Sequence, residues 1–456
     1  MALKLPDIEE SCDASVLNLF SMEPRDDVIY DVKEIALEPH VPLRGDSRQV
    51  IFRMEPISQW IQLSETRLEG TLKIVKNSDK TDIEPYRVAR AAVPAADGQP
   101  AVAAVTAYES AGFDQFPINL AIKSVEVRWN DAVVSTTDTH YGISAYVITM
   151  LNNDKHTLDS KAESYGFYVE AKPSNTDLVH ADGFRKRYTN TEGSRPYSLS
   201  SPIFSPVFLQ NKALLPMMRL SMDFNLQNAS YFIKSGVPVA DQDFDYVIDD
   251  FKLVLKLLYV TSDFQLRFEK RLASGQNALY EIPNFNLKSY IVGAGRSEFA
   301  VANPFDSSFV PTHSVVFFAG QPESIGQFGS SPLSFRHHNV KNIRILINDA
   351  PCPSLPFNIN WVTGKFIRAF QALHGDNFSV SNTVIDKNLF KDEHCFFCFD
   401  MNMPKCGAAP RTKALGQCKL EVEFMNTGNP ILKCYVWFMQ LETIQITSNR
   451  EVIKNY

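Results

Sequence analysis

The chain has 456 residues, of which 45% are hydrophobic and 11% aromatic, and it carries a formal net charge of -7. Because a single hydrophobic core stops growing at about 250 to 300 residues, this length predicts two domains. The apolar content excludes a largely disordered chain. The negative charge argues against a surface that neutralises many phosphates, so nucleic acid is not expected as the main ligand.

Membrane-spanning and secretory segments are not expected. No apolar run reaches the roughly 18 residues that a transmembrane helix needs, and the most apolar segment, 251–260, is strand-length and contains lysine. The amino terminus turns acidic at Glu9 and Glu10, where a signal peptide would need an apolar core. We therefore expect synthesis in a reducing compartment and free thiols at the 7 cysteines.

Apolar and polar residues alternate with period two along most segments that can be interpreted, which is typical of strands with one buried face. These segments are 68–76, 124–130, 218–226, 251–260, 285–292, 343–348, 418–424 and 442–447. Helical spacing occurs at 141–151, 262–275 and 365–375. Many strands with few helices predict an antiparallel all-β protein, either a sandwich or a barrel.

Two stretches are similar to each other: IKSVEVRWNDAVV at 122–134 and VKNIRILINDAPC at 340–352. Each alternating segment ends in Asn-Asp, a pair that suits a tight turn because both residues tolerate left-handed backbone angles. In both halves a short apolar strand and a helix candidate follow this turn. The shared order predicts two copies of one β-rich domain, against the alternative that two amphipathic strands match by chance.

Two long irregular segments lie between the predicted strands. Residues 77–115 are rich in Ala, Pro and Asp, and residues 172–213 show little periodicity. Loops longer than about 12 to 15 residues usually bind a ligand or contact a neighbour. We expect these two loops to contact other molecules, because assemblies need such loops more often than enzyme cores do.

The sequence contains no recognisable catalytic motif. Its only Gly-Lys pair, Gly364-Lys365, lacks the spacing of a phosphate-binding loop, and neither G-x-S-x-G nor H-E-x-x-H occurs. The nearest metal signal is His394-Cys395-x-x-Cys398, but its surroundings read as a strand, in which residues three apart point to opposite faces. We therefore predict no catalytic, cofactor-binding or metal site, and buried free thiols at the two cysteines.

One tripeptide, Arg44-Gly45-Asp46, matches a sequence known from integrin ligands and used by some viruses for entry. Pro42 and Gly45 equally suit a turn before the strand that begins near Gln49, and we favour the turn. The tripeptide is kept as the candidate receptor motif.

Several segments, in order, carry a family resemblance. They are SVLNLFSMEP (15–24), WIQLSETRLEGTLKIVK (60–76), VEVRWNDAVV with YGISAYVITMLN (141–152), SPLSFRHHNVKNIRILINDAPCPSLPF (331–357), KLEVEF (419–424) and ETIQITSNREVIKNY (442–456). This succession resembles the double jelly-roll major capsid proteins of the Polinton/Maverick and adintovirus-like group, in the PRD1 and adenovirus hexon lineage of double-stranded DNA viruses. This chain has Asp131 and Asp349 at the two positions where this family usually has glycine.

The resemblance implies an all-β fold of two tandem eight-stranded jelly rolls with a few short helices. The implied divisions are an N-terminal arm at 1–48, a first jelly roll at 49–261 with long loops at 77–115 and 172–213, a helical connector at 262–277, and a second jelly roll with the carboxyl tail at 278–456. The implied function is that of a major capsid protein, which homotrimerises into a pseudo-hexameric, hexon-like capsomer and tiles an icosahedral virion around a double-stranded DNA genome.

The implied partners are two further copies of the chain, neighbouring capsomers, and penton and minor capsid proteins, without sequence-specific nucleic acid. A host receptor could contact the surface loops. The protein would be made in the host cytoplasm and assembled there or in the nucleus, and it would be neither an enzyme nor dependent on a cofactor. Two alternatives remain: a carbohydrate-binding, lectin-like jelly-roll protein, and a domesticated capsid relative that no longer assembles.

Overall fold

The computed structural model describes residues 28–41, 48–85, 111–137, 139–176, 181–236, 242–306, 309–374, 383–401, 415–426 and 428–455. The strands of the first half are β1 (Ile29–Leu37), β2 (Gln49–Met54), β3 (Trp60–Lys76), β4 (Ala111–Phe113), β5 (Ile122–Trp129), β6 (Ala132–Thr137), β7 (Tyr197–Pro202), β8 (Leu220–Leu226), β9 (Ile233–Ser235) and β10 (Phe244–Val260). Those of the second half are β11 (Ala278–Val292), β12 (Glu298–Ala302), β13 (His313–Gly320), β14 (Val340–Ile347), β15 (Ala350–Cys352), β16 (Phe397–Asp400), β17 (Cys418–Phe424), β18 (Leu432–Ile446) and β19 (Val452–Asn455).

The helices are short and lie between the strands. They are α1 (Pro117–Leu120), α2 (Tyr141–Asn152), α3 (Lys155–Leu158), α4 (Asp182–Thr191), α5 (Ser262–Ala273), α6 (Gln321–Ile325), α7 (Ile367–Leu373) and α8 (Lys387–Asp392). Single turns of 3-10 helix occur at Lys161–Tyr165, Glu192–Ser194, Pro206–Phe208 and Ala229–Tyr231. Within the described ranges, no helix is both long and apolar enough to cross a bilayer.

Two four-stranded antiparallel sheets build the first half. Their strand orders are β1-β10-β3-β7 and β2-β8-β5-β6, and the short pair β4-β9 lies outside both. The eight strands of these two sheets can be numbered one to eight along the chain, leaving out β4 and β9. The first sheet then has the order first, eighth, third, sixth, and the second sheet has the order second, seventh, fourth, fifth. This arrangement of two sheets is the jelly roll.

The second half repeats the arrangement strand for strand. Its sheets have the orders β11-β18-β13-β16 and β12-β17-β14-β15, and β19 adds to β18. The same numbering again gives first, eighth, third, sixth and second, seventh, fourth, fifth. The fold is therefore a double jelly roll, which confirms the predicted fold class.

The Asn-Asp turns occupy the same position in both jelly rolls, joining the fourth strand to the fifth. Asn130 has φ 52° and Asn348 has φ 49°, the left-handed region that asparagine tolerates. The Asn130 N–H donates to Arg219 O at 2.8 Å, and its Oδ1 accepts from the Arg219 N–H at 2.8 Å. Asn348 makes the same pair of bonds with Gln417, both at 2.9 Å. The predicted turns are confirmed, and each ties its hairpin to the residue before the seventh strand.

The three predicted helices are present. α2 covers the predicted helix at 141–151, α5 lies within 262–275, and α7 lies within 365–375. After α5, Gly275 has φ 89°, the left-handed conformation that favours glycine at a helix end. α5 therefore lies between β10, the last strand of the first half, and β11, the first strand of the second.

Two predicted irregular regions contain regular structure. Residues 29–37, assigned to the N-terminal arm, form β1 and pair with β10. β1 is an edge strand whose residues are all exposed or only partly buried, so apolar and polar residues alternate weakly along it. The irregular loop predicted at 172–213 was wrong for α4 and for β7, which pairs with β3.

Candidate functional site

Helix α2 lies between the two jelly rolls and is buried from Tyr141 to Leu151. The Trp437 indole N–H of β18 donates to Ser144 Oγ at 3.0 Å, and a hydrogen bond of 2.9 Å joins the Tyr146 hydroxyl to His394 Nε2. The Tyr146 ring also lies 6.2 Å from the ring of Phe335. An apolar sequence without a polar stripe predicts burial of this kind. We call this contact between the halves the junction.

His394 is enclosed on the second-half side of the junction and is 1% exposed. Burial disfavours the charged imidazolium and lowers the pKa of His394 to about 4. The neutral ring is thus the form that the folded junction accommodates.

A second polar contact across the junction is centred on Glu393. Its Oε1 accepts hydrogen bonds from Ser174 Oγ at 2.7 Å and from the Arg336 guanidinium at 2.9 Å. Burial alone would raise the pKa of Glu393, but the hydrogen bonds from Ser174 and the charge of Arg336 outweigh it and hold this pKa below its ordinary value. Ser174 belongs to the first half and Arg336 to the second, so one carboxylate links both.

Four charged side chains next to the junction are buried together, and we call them the buried charge cluster. Arg187 Nη2 lies 2.9 Å from Glu170 Oε1, with side-chain exposures of 0% and 5%. Lys234 Nζ lies 3.4 Å from Asp114 Oδ1, with exposures of 1% and 0%. Ser331 of the second half donates its hydroxyl to Asp114 Oδ2 at 2.5 Å. Buried charges are tolerated only when they are paired in this way.

Sequence reasoning missed the buried charge cluster. Asp114 interrupts the apolar stretch 112–116, and Lys234 interrupts the apolar stretch 231–236. A single charge within aromatic residues is a usable signal, because lysine and aspartate are almost never fully buried unless paired. The sequence gives no means of deciding which two charges meet, since 120 positions separate them in the chain.

The candidate receptor motif Arg44-Gly45-Asp46 lies outside the described residues. Cys395 and Cys398 are buried free thiols, and burial raises the pKa of both. No group of three or more potential metal ligands occurs among the residues that the structure describes. Cys12 and Cys406 lie outside those residues.

Three large apolar side chains are exposed between the end of β15 and the first residue of α7. Leu355 is 64% exposed, Val362 91% and Ile367 48%. This connection folds back on itself, because Arg368 donates to Pro356 O at 3.2 Å. Single exposed apolar residues are ordinary, but several in one segment mark a contact surface. We call these three residues the outer apolar patch.

A groove of about 420 Å³ lies where β1 and α5 meet, lined by Tyr30, Trp60, Tyr259, Leu266 and Glu269 among others. Trp60 is only 8% exposed, and its indole N–H donates to Gln265 Oε1 at 2.8 Å. Glu269 Oε1 is ion-paired with Arg450 Nη2 at 2.6 Å. The Trp60 indole is covered and the Glu269 carboxylate is ion-paired, whereas Tyr30 at the same groove is 68% exposed.

Solved structures of viral capsids share this fold over the whole chain. The Sputnik virophage structure aligns with 100% of this chain and 94% of its own, with a TM-score of 0.66 and 12% identity. The mavirus major capsid protein aligns with 99% of this chain and 96% of its own, at TM-score 0.58 and 11% identity. The PBCV-1 virus capsid gives TM-score 0.56 and 9% identity over 96% of this chain and 99% of its own. At these identities the likeness establishes the double jelly-roll fold.

A curated sequence relative is the uncharacterized protein F54H12.2 of Caenorhabditis elegans, 19% identical over 288 residues. The match covers 62% of this chain and 66% of the relative, so the chain spans just under two thirds of the relative's length. No family model matches the chain.

Proposed function

We propose that this chain is a major capsid protein. In this proposal it forms a homotrimer, whose six jelly rolls make a pseudo-hexameric capsomer, and these capsomers tile an icosahedral shell around a double-stranded DNA genome. The observation that carries the proposal is the reciprocal coverage: this chain and the Sputnik virophage chain align over 100% and 94% of their lengths. A chain that had kept one jelly roll for another purpose would align over only half of either partner.

The internal duplication supports a trimer as the building unit. Two jelly rolls of the same strand order present two similar outer surfaces, and three copies present six. A closed ring of three identical chains is a common symmetric oligomer. Threefold symmetry would thus give a nearly sixfold outline, which is the shape needed to tile a shell.

The outer apolar patch supports association over catalysis. Val362 and Leu355 are among the most exposed large apolar residues described, and subunit contacts remove such side chains from water. We assign the patch to contacts between copies and no residue to catalysis. Neighbouring capsomers and minor capsid proteins would bind the remaining outer surface, in a virion assembled in the host cell.

The finer assignment to the Polinton/Maverick and adintovirus-like group rests on the ordered sequence segments, notably 60–76 and 442–456. The candidate receptor motif Arg44-Gly45-Asp46 stays a prediction for the same proposed virion. Binding of the intact particle to integrin, compared with an Asp46→Glu particle, would test it.

A domesticated, host-encoded capsid relative is the second candidate, and one observation favours it. A sequence relative is a protein of an animal, Caenorhabditis elegans. A chain of this kind would keep the double jelly roll for its stability and would have lost the contacts between copies.

Oligomeric state distinguishes the two candidates. Mass photometry and negative-stain microscopy of the purified chain, over a range of salt concentration and pH, should show trimers and then shells. A chain that stays monomeric in all of these conditions would contradict the capsid proposal and support the domesticated relative.

The outer apolar patch offers a sharper version of this experiment. Val362→Asp should shift the trimer to monomer, because it places a charge in the proposed contact. Gln276→Glu, at an exposed position after α5, adds the same charge elsewhere and should leave the trimer intact. Equal behaviour of the two variants would place the contact between copies away from the patch.

A further inference from the structure

The pair Lys234 and Asp114 in the buried charge cluster has the geometry of a reactive pair. The two residues lie on the paired strands β4 and β9 or directly after them, and Lys234 is opposite Gly112. The Phe184 ring fills the space beside Gly112, and Lys234 Nζ lies 3.4 Å from Asp114 Oδ1. Side-chain exposures of 1% and 0% exclude water from both groups.

The surroundings of this pair are largely aromatic. The ring centroid of Phe184 lies 5.1 Å from Lys234 Nζ, and Phe113 of β4 stacks at 5.7 Å on Phe232, the residue before β9. A medium of this kind makes two buried charges costly, so it favours a product in which both charges have been removed. Burial raises the pKa of Asp114 and outweighs the charges of Lys234 and Arg187 and the hydrogen bond from Ser331, which lower it.

The Asp114 carboxyl group is held and polarised on both oxygens. The Gln115 backbone N–H donates to Oδ1 at 2.6 Å, and the Ser331 hydroxyl donates to Oδ2 at 2.5 Å. Lys234 Nζ is oriented by a hydrogen bond to the carbonyl oxygen of Pro173. Fixed donors on a carboxyl oxygen stabilise the negative charge that develops when an amine attacks the carbon, and fixed reactants replace a bimolecular encounter.

We propose that Lys234 and Asp114 join in an intramolecular isopeptide bond. A proton passes from Lys234 Nζ to Asp114 within the ion pair, Nζ then attacks Asp114 Cγ, the N–C bond forms, and one C–O bond of the carboxylic acid breaks. The departing hydroxyl leaves as water together with a proton from Nζ. No oxidant or other reactant is consumed, and the product is a neutral secondary amide.

The charge balance of the cluster favours this product. Before the reaction two cations, Lys234 and Arg187, face two anions, Asp114 and Glu170. The amide removes one charge of each sign and leaves the Arg187–Glu170 pair at 2.9 Å. A buried ion pair carries a large desolvation cost, which a neutral amide avoids. Glu170 stays engaged on both oxygens, because Oε1 accepts from Arg187 Nη2 at 2.9 Å and Oε2 accepts from Gln115 Nε2 at 2.7 Å.

Intact-mass spectrometry of the purified, denatured full chain tests the bond directly. The expected mass is below the sequence mass by one water, about 18 Da. Tryptic digestion should then yield a branched product of the peptides 91–123 and 220–252, because trypsin does not cleave after an acylated Lys234. The full sequence mass and three separate peptides, 91–123, 220–234 and 235–252, after prolonged incubation of the folded chain, would show an ion pair only and overturn the proposal.

Two comparisons test whether the bond is specific to Lys234 and Asp114. Asp114→Asn should release ammonia, about 17 Da, in place of water, so its linked product has the same mass as the linked wild type. Lys73 and Asp82 form a closer pair at 2.7 Å, but they are 28% and 62% exposed, and their peptides should stay separate. The measurement needs no capsid assembly, so its outcome is independent of the proposed function.

Discussion

The two halves contain the same succession of turn, short strand and helix, at 130–152 and at 348–373, but the two helices have different environments. α2 is buried between the halves from Tyr141 to Leu151. In α7 only Ala369 and Leu373 are buried, and Ile367 is 48% exposed. Their sequences reflect this: YGISAYVITMLN contains no charge, whereas IRAFQAL contains Arg368.

This difference shows how a duplicated unit becomes one molecule. The first copy supplies the helix that fills the junction, and the second half supplies its polar partners, Trp437 and His394. The second copy leaves its helix near the surface, next to the outer apolar patch. The helix of the first jelly roll therefore stabilises the contact between the halves, and the helix of the second is available for contacts with other molecules of this chain.

The largest effect is expected from emptying the junction. Tyr146→Ala removes a fully buried ring and the hydrogen bond to His394, and it should lower the free energy of unfolding by about 3 to 5 kcal/mol. Phe370→Ala removes a half-buried ring of α7 and should cost about 1 to 2 kcal/mol. Urea unfolding of both variants measures the contrast.

A third variant separates packing from hydrogen bonding. Tyr146→Phe keeps the ring and loses only the bond to His394, which should cost about 1 kcal/mol. If Tyr146→Ala and Phe370→Ala prove equally destabilising, α2 does not hold the halves together.

Only part of this contrast between the two helices could be predicted from the sequence. Period-two alternation at 251–260 and 442–447 predicted parts of the long strands β10 and β18, and helical spacing predicted α2, but the burial of this helix was not predicted. The partner of α2 could not be predicted, because Tyr146 and His394 lie in different jelly rolls and no local pattern pairs them. β1 was missed because an edge strand is exposed on much of both faces. The pair Asp114 and Lys234 was missed because their contact depends on how the loops fold.

A pH dependence should follow from the residue that faces α2. Burial lowers the pKa of His394 from 6.5 to about 4, so the unfolded chain binds a proton at a higher pH than the folded chain does. The neutral His394 ring makes its full contribution to the stability of the folded chain above pH 6.5, and this contribution is lost as the pH falls to about 4. This loss amounts to about 3 kcal/mol for His394, and His337 and His338, with pKa values also near 4, act in the same direction.

His394→Gln can keep a hydrogen bond to Tyr146 without binding a proton, so its melting temperature should fall less than that of the wild type between about pH 7 and pH 4. His156, exposed on α3, provides the matched control as His156→Gln. A wild-type melting curve that is unchanged over this range would show that His394 is protonated without cost in the folded junction.

The smallest effect is expected at the two Asn-Asp turns. Besides its bonds to Arg219, Asn130 donates its side-chain N–H to Arg450 O at 2.7 Å, which ties the first half to the C-terminal segment. Asn130→Asp keeps the acceptor oxygen but replaces this donor with a carboxylate, at a cost of about 1 to 3 kcal/mol. Asn348→Asp keeps the acceptor for the Gln417 N–H and should change the free energy of unfolding by less than about 0.5 kcal/mol. An aspartate follows both positions, so the added charge meets the same neighbour in each. Urea unfolding that gives equal values for the two variants would mean that the Arg450 contact does not hold the halves together.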